Sequence, residues 1–130
     1  VEGAHCIYCE KEFVQVLPRL LVMVYAKRCG TKVSINDEKT IGTLLDVLLP
    51  EVNLAFTFPS RETDRGAKVI EVMQYMCAAR KIQLIEVRKK EPIELAHEIK
   101  QAFAKAHLYI DSDSEKEIDY LRKWYFHQTV

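Results

Sequence analysis

The chain has 130 residues, the size of one domain with a real core, and its 48% hydrophobic and 29% charged content is ordinary for a globular protein. Nineteen basic side chains balance nineteen acidic ones, so no net charge pulls the chain toward nucleic acid or an anionic membrane, and any such contact must come from a local patch. No apolar run is long enough to span a bilayer; the longest lies near Leu20–Tyr25.

The first residues lack a basic start followed by an apolar stretch, so they do not read as a signal peptide, and a cytoplasmic protein is expected. The chain opens on Val1-Glu2-Gly3, which suggests that the natural chain continues upstream. Cys6 and Cys9 form a C-x-x-C with His5 beside it. Zinc wants four soft or imidazole ligands, and Cys29 has no partner at the right spacing. Two readings stay open: residues 1–11 are the second half of an upstream zinc ribbon, with Cys6 and Cys9 as part of a Zn site, or the pair are reduced thiols. Residues 12–130 form the single domain.

From Glu10 to Arg28, Phe13, Val14, Leu17, Leu20, Leu21 and Val24 recur at helical spacing. Pro18 should kink this helix or mark its true start. Gly30 suits a C-cap. Lys32 to Asn36 is a short candidate strand, followed by a polar turn. Ile41–Leu49 and Leu54–Phe58 are apolar and rich in β-formers, with the turn Pro50-Glu51-Val52-Asn53 between them, which predicts a buried hairpin. Asp64–Arg80 reads as a helix with Val69, Ile70, Val72, Met73, Met76 and Cys77 inward. Ile82–Val87 is another buried strand. A helix begins at Pro92 and turns Ile93, Ala96, Ile99, Ala102 and Phe103 inward. His107–Ile110 is a short candidate strand. Ser112 or Ser114 caps the last helix, whose apolar stripe is Ile118, Leu121 and Trp124 or Tyr125. A hairpin that leads by a helical crossover to a buried strand predicts an α/β domain, a mixed sheet flanked by helices.

Asp46 stands among apolar neighbours in Leu44-Leu45-Asp46-Val47-Leu48-Leu49. A carboxylate there is costly to bury without a partner. It either reaches solvent or a neighbouring loop from a strand end, or it serves as a ligand for a divalent metal, because hard cations take carboxylate oxygens.

Thr43-Leu44-Leu45-Asp46-Val47-Leu48-Leu49-Pro50-Glu51-Val52-Asn53-Leu54-Ala55-Phe56 resembles the central hairpin of the restriction-endonuclease-like PD-(D/E)XK nucleases, in the branch similar to very short patch repair endonucleases. Arg80-Lys81-Ile82-Gln83-Leu84-Ile85-Glu86-Val87 resembles the later strand of that branch, and the likeness covers roughly residues 12–103. The resemblance implies a restriction-endonuclease-like mixed sheet. It sets Asp46 at the family's aspartate and as a weak Mg ligand, and Glu12 at the acidic residue of the first helix. It also leaves two gaps. The second carboxylate falls on Thr57 and the following lysine on Pro59, and neither can do the job. Glu62 or Asp64 could supply a migrated carboxylate, or Glu86 with Arg88 two positions on.

The expected function is a nucleic-acid-associated domain with a degenerate active site that binds DNA. Arg65, Lys68, Arg88 and Lys89 are the candidate phosphate contacts, blunted by Glu91, Glu94 and Glu98 nearby. Trp124, Tyr125 and Phe126 would stack on bases or belong to the core or an interface. The alternatives are an active Mg-dependent DNA endonuclease with a migrated carboxylate, and a noncatalytic protein-interaction module.

Overall fold

The computed structural model describes residues 7–37, 39–40, 42, 45–58, 67–89 and 91–129. Helix α1 spans Ile7–Arg28 and is followed by strands β1 (Ser34–Asp37), β2 (Leu45–Leu49) and β3 (Leu54–Thr57). Helix α2 (Ala67–Ala79) leads to β4 (Gln83–Glu86), and α3 (Pro92–Lys105) and α4 (Ser114–Thr129) complete the chain.

The four strands form one mixed sheet in the order β1-β2-β3-β4. β2 and β3 are antiparallel, with Val47 opposite Phe56 and Leu49 opposite Leu54. β3 and β4 are parallel, a pairing that needs a crossover, and α2 lies in the connection. The domain is therefore an α/β fold with helices flanking the sheet, and the expected hairpin pairs as the sequence indicates.

Strands β2 and β3 are buried along their whole length, so both faces of the sheet need cover. Val47, Leu49, Leu54 and Phe56 join the larger core with α1, α3 and α4. Within it Phe56 stacks on Phe103 at 5.7 Å between ring centroids, and Tyr25 meets Phe103 edge-on at 5.8 Å. Leu45, Leu48 and Ala55 form a second core with Met73, Cys77 and Ile82, under α2.

Helix α1 runs through Pro18 without a break and buries Phe13, Leu17, Leu21, Val22, Tyr25 and Ala26. It ends in a Schellman arrangement: Gly30 adopts φ +70°, its N–H reaches the Lys27 carbonyl, and the Thr31 N–H reaches that of Ala26. Helices α2 and α3 end in the same way, but with Lys81 and His107 in the left-handed conformation. The expected strand at His107–Ile110 does not form. His107 is consumed as the cap of α3, and Leu108 and Ile110 pack on the main core from irregular backbone.

Pro92 opens α3 as expected, with Glu91 capping the Glu94 N–H. On its inner face Leu95 is buried, whereas Ile93 is only half-buried. On α2, Val69 and Val72 are exposed rather than inward. On α4, the buried residues are Ile118, Leu121 and Phe126, with Trp124 outside.

A polar cluster ties the helices together at one end. Tyr25 donates from its hydroxyl to Glu117 Oε1 at 2.6 Å, and Arg28 pairs with Glu117 Oε2 at 2.8 Å. Lys100 donates to the Ser112 carbonyl and the Ser114 hydroxyl, both at 2.7 Å. Glu117 is buried, and Tyr25, Arg28 and the Ser112 hydroxyl, which donates to Oε1 at 3.2 Å, make its burial tolerable. None of the described helices is long and apolar enough to cross a membrane.

Candidate functional site

Asp46 is 6% exposed, so the strand-end route to solvent is closed and its charge must be met inside the fold. Three donors meet it. Arg19 Nη2 on α1 donates to Oδ1 at 2.9 Å. The Thr57 hydroxyl donates to Oδ2 at 3.2 Å, and the Phe58 N–H donates to the same oxygen at 2.8 Å.

Sheet register explains the Thr57 contact. Continuing the β2–β3 pairing one step past Val47 and Phe56 sets Asp46 opposite Thr57. Thr57 in turn lies beside Glu86 on β4. Asp46, Thr57 and Glu86 thus form one row across three strands, which brings together two of the three expected acidic residues. Glu86 pairs with Arg88, two residues on, instead of facing an open cation site.

The third acid stands apart. Glu12 is exposed on α1. Arg19 lies seven residues further along the same helix, a rise of about 10 Å at 1.5 Å per residue. The α1 residue that reaches Asp46 is therefore a base, not an acid.

A divalent cation does not fit these residues. It would need several free oxygens at close range. Both Asp46 oxygens already accept hydrogen bonds, Glu86 is held by Arg88, and Thr57 is neutral. No group of three His, Cys, Asp or Glu side chains among the described residues is arranged to hold a metal ion. The Arg19 guanidinium meets the Asp46 charge directly.

The basic candidates are dispersed. Arg88 and Lys89 are exposed just past β4, but Arg88 is engaged by Glu86, and the N–H groups of both residues donate to Glu98 Oε1 at 3.2 and 3.3 Å. Lys68 lies in the first turn of α2 and Cys9 in that of α1; their side chains, like Cys6, Pro59, Glu62, Asp64 and Arg65 as a whole, lie outside the described residues. Cys29 and Cys77 are free thiols, and burial pushes that of Cys77 up from its ordinary pKa, with Arg80 opposing.

Arg19 is the site residue that sequence reasoning did not find. The available signal was indirect: a carboxylate inside a buried strand demands a cation, but helical spacing alone does not say which basic side chain supplies it.

No known protein family, curated protein or solved structure matches this chain.

Proposed function

We propose that this is a noncatalytic, nucleic-acid-associated domain built on a PD-(D/E)XK-like plan. The hairpin–helix–strand order, with Asp46 and Thr57 on paired strands and α2 covering the second core, supports the nuclease-like plan. One observation supports the loss of catalysis: Asp46 accepts from Arg19, Thr57 and the Phe58 N–H, most of its roughly four acceptor sites, and the Arg19 guanidinium already meets its charge, so an incoming Mg ion would have to displace that cation. A metal-dependent hydrolase must fix its cation and activate a water, and an arginine does neither. Arg65, Lys68, Arg88 and Lys89 are the phosphate contacts proposed from the sequence, with DNA as the partner.

A second reading, a protein-interaction module, is favoured by α2. Val69, Val72 and Tyr75 are exposed on it, with Tyr75 at 75%.

The test is a plasmid-nicking assay with magnesium or manganese, run beside anisotropy titrations of labelled oligonucleotides at two salt concentrations. The expected result is no cleavage, with binding that weakens as salt rises. Cleavage that Asp46→Ala abolishes would instead make the chain an active endonuclease with a migrated carboxylate. Absence of any oligonucleotide binding would leave the interaction module.

A further inference from the structure

Helix α4 has an inner and an outer stripe. Ile118, Leu121 and Phe126 are buried and anchor the helix to the main core. On the opposite side, Lys116, Tyr120 and Trp124 recur every four residues, and Lys123 and His127 fall within the same arc at 3.6 residues per turn. All five are exposed, Tyr120 at 68% and Trp124 at 44%. No acidic residue shares that arc. Glu117 points inward, and Asp119 sits on the flank, where it pairs with Lys123 at 3.1 Å. That pair is largely solvated, 77% and 59% exposed, so Lys123 can exchange Asp119 for another anion at little cost.

Two aromatic rings at the surface of a soluble helix leave apolar area in water unless something covers them. Here they are interleaved with lysines on a chain of zero net charge, and at the end of β4 the Arg88 guanidinium is engaged by Glu86. Tyr120 and Trp124 are four residues apart, about 6 Å along the axis. That places the rings for successive unstacked bases, with Lys116 and Lys123 along one flank of them for the phosphates. A duplex hides its base faces within the stack, whereas a single strand offers both its base faces and its phosphates.

We infer that the outer face of α4 is a binding surface for single-stranded nucleic acid. Tyr120 and Trp124 are the stacking platforms, and Lys116 and Lys123 are the phosphate contacts. This rests on the nucleic-acid reading above and names the strand form and the surface it uses.

Trp124 is the chain's one tryptophan, so its fluorescence reports on this face alone. The experiment titrates the protein with oligothymidylate while following Trp124 emission and, in parallel, the anisotropy of labelled oligothymidylate. Vesicles of phosphatidylserine in phosphatidylcholine form a separate arm. Emission should be quenched on binding. Tyr120→Ala should weaken binding about ten-fold or more, and Trp124→Phe should largely preserve it. Two lysine–phosphate contacts contribute about −1.4 to the slope of log K against log salt, so the slope should become shallower by about that much in Lys116→Ala/Lys123→Ala. These side chains are exposed, so circular dichroism should show the variants folded. Oligothymidylate binding that leaves Trp124 emission unchanged and ignores Tyr120→Ala would overturn this surface while the nucleic-acid reading stood. Absence of binding to any nucleic acid would remove both. Emission that shifts with the vesicles but not with oligothymidylate would make the stripe a membrane-facing one and overturn the inference.

Discussion

Arg19 Nη2 lies 2.9 Å from Asp46 Oδ1, joining the middle of α1 to the second strand of the sheet. The Asp46 side chain is 8% exposed and that of Arg19 is 43%, so the two ends of the pair live in different media. Losing the arginine strands a buried carboxylate. Losing the aspartate leaves a base that can still reach water.

The first prediction follows from that asymmetry. Arg19→Met should cost about 1–3 kcal/mol, because Asp46 keeps Thr57 and the Phe58 N–H but loses its counter-charge. Asp46→Ala should also cost about 1–3 kcal/mol, but for a different reason: it orphans the Thr57 hydroxyl and the Phe58 N–H, while the half-exposed guanidinium turns to water. A double-mutant cycle by urea denaturation should give a coupling of about 0.5–3 kcal/mol between the two sites. Additive losses would mean that the pair contributes nothing as a pair.

The second prediction concerns metal. Arg19→Met/Thr57→Glu removes the built-in cation and sets a second carboxylate opposite Asp46. Two carboxylates then share one place with no counter-charge, which should destabilise the variant without metal and let manganese restore it. Thermal melts with and without manganese check this: the double variant should gain melting temperature with the ion, and the parent chain should not. No gain in the double variant would show that the row cannot close around a cation even when the arginine is gone.

The third prediction is a pH dependence. Burial first, and then the hydrogen bond to Glu117, raise the Tyr25 phenol well above its ordinary value of 10.0. A group whose folded pKa is raised contributes stability that is fully present below its unfolded pKa. That contribution is lost as pH rises from there toward the folded value. Denaturation midpoints should therefore fall above about pH 10, and Tyr25→Phe should flatten that fall. At neutral pH the same variant should lose about 1–3 kcal/mol, because Glu117 is left without one donor.

The fourth prediction separates the three helix ends. Gly30 has φ +70° with nothing within 4 Å of an added Cβ, so Gly30→Ala meets only backbone strain and should cost about 1–2 kcal/mol. Lys81 and His107 hold φ +60° and +63° at equivalent ends. Replacing either by glycine relieves that strain but frees the unfolded chain, so each should change stability by no more than about 1 kcal/mol, on the favourable side. Guanidinium denaturation of the three variants measures all of this. A destabilised His107→Gly would mean that the imidazole itself is needed.

Much of the fold was legible because it rests on local periodicity. Apolar runs with a turn between them gave the β2–β3 hairpin, and Pro92 and Gly30 punctuated helices where such residues fit. The failures share one cause. His107–Ile110 has the composition of a strand, but a strand needs a neighbour, and His107 was already used to close α3. Val69 and Val72 look inward by type, yet α2 packs along Ile70, Met73 and Cys77 and leaves them in water. Of Trp124 and Tyr125, the two candidates for the stripe of α4, Tyr125 packs on the core beside the buried Phe126 and Trp124 stays outside.

The sequence by itself determined that Asp46 stands among apolar strand residues, that Thr57 and Pro59 fall where the resemblance leads one to expect an acid and a base, and that the charges balance. Those facts depend on residue type and short spacing, which a linear chain displays. Only the tertiary structure decided that Asp46 is buried with Arg19 as its partner, that Glu12 stays exposed, and that Glu86 is taken by Arg88. The physical reason is distance along the chain. Arg19 and Asp46 are 27 residues apart, and only the packing of α1 against the sheet sets which of its side chains meets the carboxylate.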